Sequence, residues 1–160
     1  MRSDLTSPFL GNSKFMLISA IGESMWPLLV DGELLLVQKC SMENLERGDL
    51  ALYQEESGLY LAHRYLCGRY FKGDRSKVLE RVEPHLFIGR VEARAKISRN
   101  NKVIFVKVSR VMGRCLPLWQ TQISLSNCQF SLKSKLASAM MIFLNLLSRW
   151  MGKRYIVPSE

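Results

Sequence analysis

Leu59-Tyr60-Leu61-Ala62-His63-Arg64-Tyr65-Leu66 decides how this chain reads. Ser57-Gly58 punctuates it on one side and Gly68 on the other, so the run is too short for a helix of ordinary length. Its aliphatic and aromatic content reads as a strand. The same grammar repeats outward. Downstream, Tyr70-Phe71-Lys72 follows Gly68. Upstream, Leu50-Ala51-Leu52-Tyr53 leaves a Gly48-Asp49 turn, and Glu33-Leu34-Leu35-Leu36-Val37-Gln38 leaves the Asp31-Gly32 turn signal. Residues 14–20 form an apolar run of mixed alternation that ends at the bend around Gly22. Residues 86–97 and 102–108 flank Arg99-Asn100-Asn101, which reads as a hairpin tip. Short strands at this spacing, with no helix of useful length between them, predict a mainly β, compact and twisted core.

The bounds agree with one folded domain. The chain has 160 residues, 48% of them hydrophobic and 23% charged, a balance that can bury a core without staples. No internal repeat, low-complexity tract or interdomain linker interrupts it. The natural division is a β-rich unit over residues 1–116, with its motifs in about residues 15–95, and a basic C-terminal extension over 117–160.

That extension has a different character. Leu132 to Met151 fits a helix with Ser131, Ser134, Lys135, Ser138, Asn145 and Arg149 on one side. Leu132, Leu136, Ala139, Met140, Phe143, Leu146 and Leu147 take the other. Trp150 and the flanking Lys133, Lys135, Arg149, Lys153 and Arg154 have the make-up of interfacial anchors. Two readings stand side by side: residues 131–154 lie on an anionic membrane surface, or the helix packs on its own domain or a partner as an ordinary amphipathic element.

Charge follows the same division. Residues 1–89 have a net charge of −2, whereas residues 90–160 carry 13 Lys and Arg against two acids, Glu92 and Glu160. A basic half suits an anionic partner. Nucleic acid is disfavoured, because the cations are not interleaved with stacking aromatics or set on a recognition helix. The four cysteines, Cys40, Cys67, Cys115 and Cys128, form no C-x-x-C pair, and neither His63 nor His85 completes a zinc spacing. They read as free thiols, and no metal or cofactor is expected. The first 12 residues lack a signal-peptide core, and no stretch reaches the length of a transmembrane span. The expected location is cytoplasmic or peripheral to a membrane.

Chemistry concentrates at two places. Gly22-Glu23-Ser24-Met25-Trp26-Pro27 sets a serine in a bend punctuated by Gly and Pro, and His63-Arg64 follows 39 residues later. A serine hydroxyl is a poor nucleophile unless a base takes its proton. Histidine, with an unperturbed pKa of about 6.5, offers a neutral imidazole near pH 7. The backbone N–H of Ser24 is a natural oxyanion donor in such a bend, and Asp74, in Lys72-Gly73-Asp74, is the candidate to orient the imidazole.

Read together, six segments resemble the signal peptidase I and LexA-like serine peptidase superfamily. They are Gly22-x-Ser24-Met25-x-Pro27, Asp31-Gly32-Glu33, Arg47-Gly48-Asp49-Leu50, His63-Arg64, Lys72-Gly73-Asp74 and Ile88-Gly89-Arg90-Val91. The resemblance implies a twisted β-rich peptidase domain with Ser24 as the acylating nucleophile. A histidine at position 63, where bacterial signal peptidases and LexA-like proteins place a lysine, is similar to the archaeal and endoplasmic-reticulum branch. In that branch an aspartate of the Gly-Asp box completes the site, which implies Asp74. The further acid of that branch is not cleanly matched, and Glu80 or Glu83 could substitute. Gly22 stands where many signal peptidases carry a second oxyanion-donating serine.

The resemblance departs in two respects: no transmembrane anchor is evident, and too little chain precedes Ser24 for a helix-turn-helix. What it implies is an endopeptidase that cuts a leader or signal-like peptide after a small residue. The alternative is a catalytically inactive module on the same fold that binds a peptide or a membrane.

Overall fold

Alternating apolar residues build one antiparallel sheet. The computed structural model describes residues 14–76, 78–97, 103–108, 132–151 and 153–154. Its strands are β1 (Phe15–Ser19), β2 (Leu34–Lys39), β3 (Leu50–Gln54), β4 (Tyr60–Cys67), β5 (Tyr70–Lys72), β6 (Glu80–Arg81), β7 (Phe87–Ile97) and β8 (Val103–Lys107). They lie in the order β1-β2-β7-β3-β4-β5-β6, with β8 also paired to β7. One helix, α1 (Leu132–Met151), follows. The protein is therefore mainly β with a C-terminal helix, as the turn-punctuated runs predict.

The period-two pattern divides the core between the two faces of the sheet. On β3, Leu50 and Leu52 join a cluster with Met25, Leu28, Leu29, Leu35 and Val37. Ala51 and Tyr53 point the other way, into a cluster with Leu45, Phe71 and Val82. Residues 63 and 64 on β4 inherit this division, since Ala51 lies opposite His63 and Leu50 opposite Arg64. Two adjacent polar residues thus serve opposite faces.

Strand β7 is the spine, pairing with β2, β3 and β8. Its ladders shift register between Leu36 and Val37 and between Leu52 and Tyr53, irregularities that bend and twist a sheet. Gly89 sits tight against β2: a Cβ there would stand 2.3 Å from the carbonyl oxygen of Gln38. The glycine of Ile88-Gly89-Arg90-Val91 thus has a packing reason. The 86–97 and 102–108 runs form the expected hairpin, with Ile97 opposite Val103; its tip at 99–101 lies outside the described residues, as do Cys115, Cys128 and the first 12 residues. Cys40 and Cys67 are free thiols.

Helix α1 packs on the body in an unexpected sense. Asn145 and Arg149, from its polar side, turn inward: Asn145 bonds Arg64 and Asp74, and Arg149 bonds the carbonyls of Pro27 and Leu28 and the carboxylate of Glu33. Glu33 also accepts from Arg94 of β7, so one carboxylate ties the spine to the helix. Met140, Phe143, Leu146 and Trp150 remain exposed. Among the described residues of the helix, the apolar side is not the one turned inward. Among the described residues no helix is long and apolar enough to cross a membrane.

Candidate active site

The bend that holds Ser24 is fixed from several sides. Gly22 adopts φ +94°, open to glycine and rare for other residues, and its N–H donates to Asp31 Oδ1. Trp26 N–H closes a turn onto Glu23, and Leu29 N–H reaches the Met25 carbonyl. Met25, Leu28 and Leu29 anchor the segment in the core. From outside, Arg75 N–H donates to the Ser24 carbonyl, and the Arg75 side chain pairs with Glu23 and lies over the Trp26 ring.

This places Ser24 Oγ 2.9 Å from His63 Nε2. The other ring nitrogen, Nδ1, lies 2.8 Å from Glu80 Oε2 and 2.8 Å from the Tyr53 hydroxyl. Tyr53 in turn donates to Glu80 Oε2. One proton arrangement satisfies all four groups. Glu80 is ionised and accepts from Tyr53 O–H and from His63 Nδ1–H, which leaves Nε2 bare to accept from Ser24 O–H. That is the tautomer a general base requires.

The electrostatics agree. Burial opposes the charge on Glu80, but the hydrogen bonds from His63 and Tyr53 outweigh it and hold the carboxyl below the usual range. Burial, reinforced by the bond to Glu80 and the nearby carboxylate charges, pushes the Tyr53 hydroxyl far above its ordinary value. It stays a donor.

Asp74 is not at the imidazole. Its carboxylate takes two bonds from Arg64, each 2.7 Å, and one of 2.8 Å from Asn145 Nδ2, all buried. The reason is strand alternation: Arg64 and His63 face opposite sides of β4, and Asp74 is on the Arg64 side. The expectation that Asp74 orients His63 is therefore corrected to Glu80, and Glu83 instead pairs with Arg69 at the surface. Asp74 still holds the site indirectly, since its N–H donates to Met25 Sδ and it follows Gly73. Beside it, burial lowers the pKa of Lys72 against the opposing charge of Asp74.

Gly73, named in the sequence only as part of Lys72-Gly73-Asp74, packs against the side chains of both Ser24 and His63. A Cβ on it would lie 3.0 Å from His63 Nε2, 3.1 Å from Ser24 Cβ and 3.2 Å from the Ser24 carbonyl oxygen. The glycine lets Ser24 and His63 meet. Asp49, buried in the Gly48-Asp49 turn, accepts from Glu46 N–H and shapes that turn.

Beside Ser24 lies an open pocket lined by Ile18, Ala20, Ile21, Met25, Leu35 and Ala62, among others, with a volume of about 30 Å³. That is room for two or three waters, or one small side chain. The Ser24 N–H has no hydrogen-bond partner among the described residues and is free to meet an oxyanion. Among the described residues no group of His, Cys, Asp and Glu is arranged to hold a metal. No protein-family model matches this chain, and no curated protein and no solved structure matches it.

Proposed function

We propose that this protein is a serine endopeptidase of the signal-peptidase type, acting on a leader or signal-like peptide after a small residue. The observation that carries the reading is the unbroken chain from Ser24 Oγ through His63 to Glu80, with Tyr53 as a second brace. Triads are recognised by geometry and roles rather than by sequence order.

In the proposed reaction the Ser24 hydroxyl adds to the scissile carbonyl while His63 Nε2 takes its proton. Glu80 stabilises the resulting imidazolium, and the Ser24 N–H donates to the oxyanion. Collapse breaks the C–N bond, and His63 returns the proton to the leaving amine. Water, deprotonated by the same imidazole, then hydrolyses the Ser24 ester.

The surroundings favour a peptide substrate. Among the described residues β1 pairs only with β2, and residues 60–63 of β4 pair only with β3. Both backbones border the pocket, so an extended peptide can add hydrogen bonds to one or both. The volume of the pocket suits alanine, glycine or serine at the residue before the cut.

The test is acylation. A fluorophosphonate should add one adduct mass to the intact protein, mapped to Ser24, and Ser24→Ala should lose both the adduct and cleavage of an extended peptide bearing a small residue. A Ser24→Ala variant that cleaves at the parent rate would end the proposal.

A further inference from the structure

We propose that the outward face of α1 is a docking surface for an anionic lipid bilayer, with the helix lying in the plane of the headgroups. The proposal stands apart from the peptidase reading, because none of its residues touches Ser24 or His63.

It begins with what the polar side of the helix does. Asn145, only 1% exposed, is consumed by Arg64 and Asp74, and Arg149 by Pro27, Leu28 and Glu33. Arg94 bonds the Arg149 carbonyl. Just past the helix, the Lys153 carbonyl accepts from Lys107 N–H and Arg154 bridges to Val106 of β8. These attachments fix the roll of the helix about its axis, so what faces outward is held there by the body.

What faces outward is apolar. Met140, Phe143, Leu146 and Trp150 recur at three- and four-residue steps along one stripe, and Phe143 is 62% and Trp150 85% exposed. Ten helical steps separate Met140 from Trp150, about 15 Å at 1.5 Å each. An apolar stripe ending in a tryptophan whose ring is apolar with one N–H donor suits the boundary between acyl chains and headgroups.

Charge selects the occupant. Lys153 and Arg154 are exposed just beyond Trp150, and from residue 93 to residue 159 the sequence has no Asp or Glu. Anionic headgroups complement that field. A second copy of the chain docked by the same face would set these cations against their own counterparts, with no acid on the segment to offset them. The observations therefore favour lipid over self-association.

The experiment is flotation of the full chain with vesicles of phosphatidylcholine alone and of equal parts phosphatidylcholine and phosphatidylglycerol. The expected result is flotation with the anionic vesicles only. Binding should fall about tenfold or more in the double variant Phe143→Ser, Trp150→Ser, and also at raised salt. Because both side chains are exposed, the variant should keep its melting temperature; if it does not, Lys153→Glu with Arg154→Glu gives the second arm. Ser24→Ala should float like the parent, which separates this test from that of the peptidase. A chain that stays soluble with anionic vesicles, or floats equally well in both double variants, overturns the proposal. So does a dimer that the serine double variant dissolves without any vesicle binding.

Discussion

Glu80 Oε2 stands 2.8 Å from His63 Nδ1, across the single strand β5 that separates β6 from β4. Phe71 opposite Glu80 and Arg64 opposite Lys72 set the register that brings them together. Since the carboxylate fixes the tautomer, Glu80→Gln should lower kcat/KM on a cleavable peptide by on the order of a thousandfold at neutral pH. Acylation kinetics would read the loss. A Glu80→Gln protein as fast as the parent would return the imidazole's orienting role to another group.

The same contact has a signature in stability. The folded pKa of Glu80 is depressed, so its contribution is full above the unfolded value of about 4.3 and is lost as pH falls through the lower folded one. Urea midpoints measured from neutral to acid pH should show the parent ahead of Glu80→Gln at neutrality. The gap should narrow on acidification below about pH 4. A gap that is constant with pH would mean that the carboxylate is not charged in the folded contact.

Gly73→Ala should injure the site more than the fold. Its new methyl would press on His63 Nε2 and on Ser24 at distances of 3.0 to 3.2 Å, and the pair can relieve this only by parting by a few tenths of an ångström. Displacement on that scale is enough to cost around tenfold to a hundredfold in rate. The check is fluorophosphonate labelling alongside thermal melting: labelling should slow while the melt shifts by little.

Removing Asp74 should do the reverse. Arg64, with no exposed surface, would keep its charge without the paired carboxylate, and breaking such a pair typically costs about 3–5 kcal/mol. Asp74→Ala should therefore lower the unfolding free energy by several times what Glu80→Gln does. Asn145→Ala, which removes one amide from the same cluster, should cost about 2 kcal/mol. Chemical denaturation of the three variants ranks them.

Much of this was legible in the chain. Turn residues at Asp31-Gly32, Gly48-Asp49 and Gly68 bound strands that formed where the apolar runs stand, and Ser24 and His63, singled out together in the sequence, meet in the structure. Strand β6 was not legible: Glu80-Arg81 is too short to show a period, so Glu80 stood beside Glu83 only as an alternative acid, with nothing local to show that pairing with β5 brings it to His63. Asp74 drew attention because it sits in a conspicuous Gly-Asp turn, yet which face of the sheet a turn residue serves depends on the pairing partners of its neighbours. The helix was legible as an element and ambiguous in roll. Which side turns inward was decided by Asp74, Arg64 and Glu33, residues far away in sequence.

The buried trio of Arg64, Asp74 and Asn145 also orders events in time. Asn145 lies 71 residues after Asp74 and 81 after Arg64. Closing so long a loop is among the slower steps available to a folding chain. While the polypeptide is being made, the sheet and the serine bend leave the ribosome well before the asparagine that completes the cluster behind them. The charged pair must wait for its last amide, so the segment supporting Gly73 acquires its final rigidity late. Chain order alone thus delays completion of the cluster behind the Ser24–His63 contact until most of the chain has been synthesised.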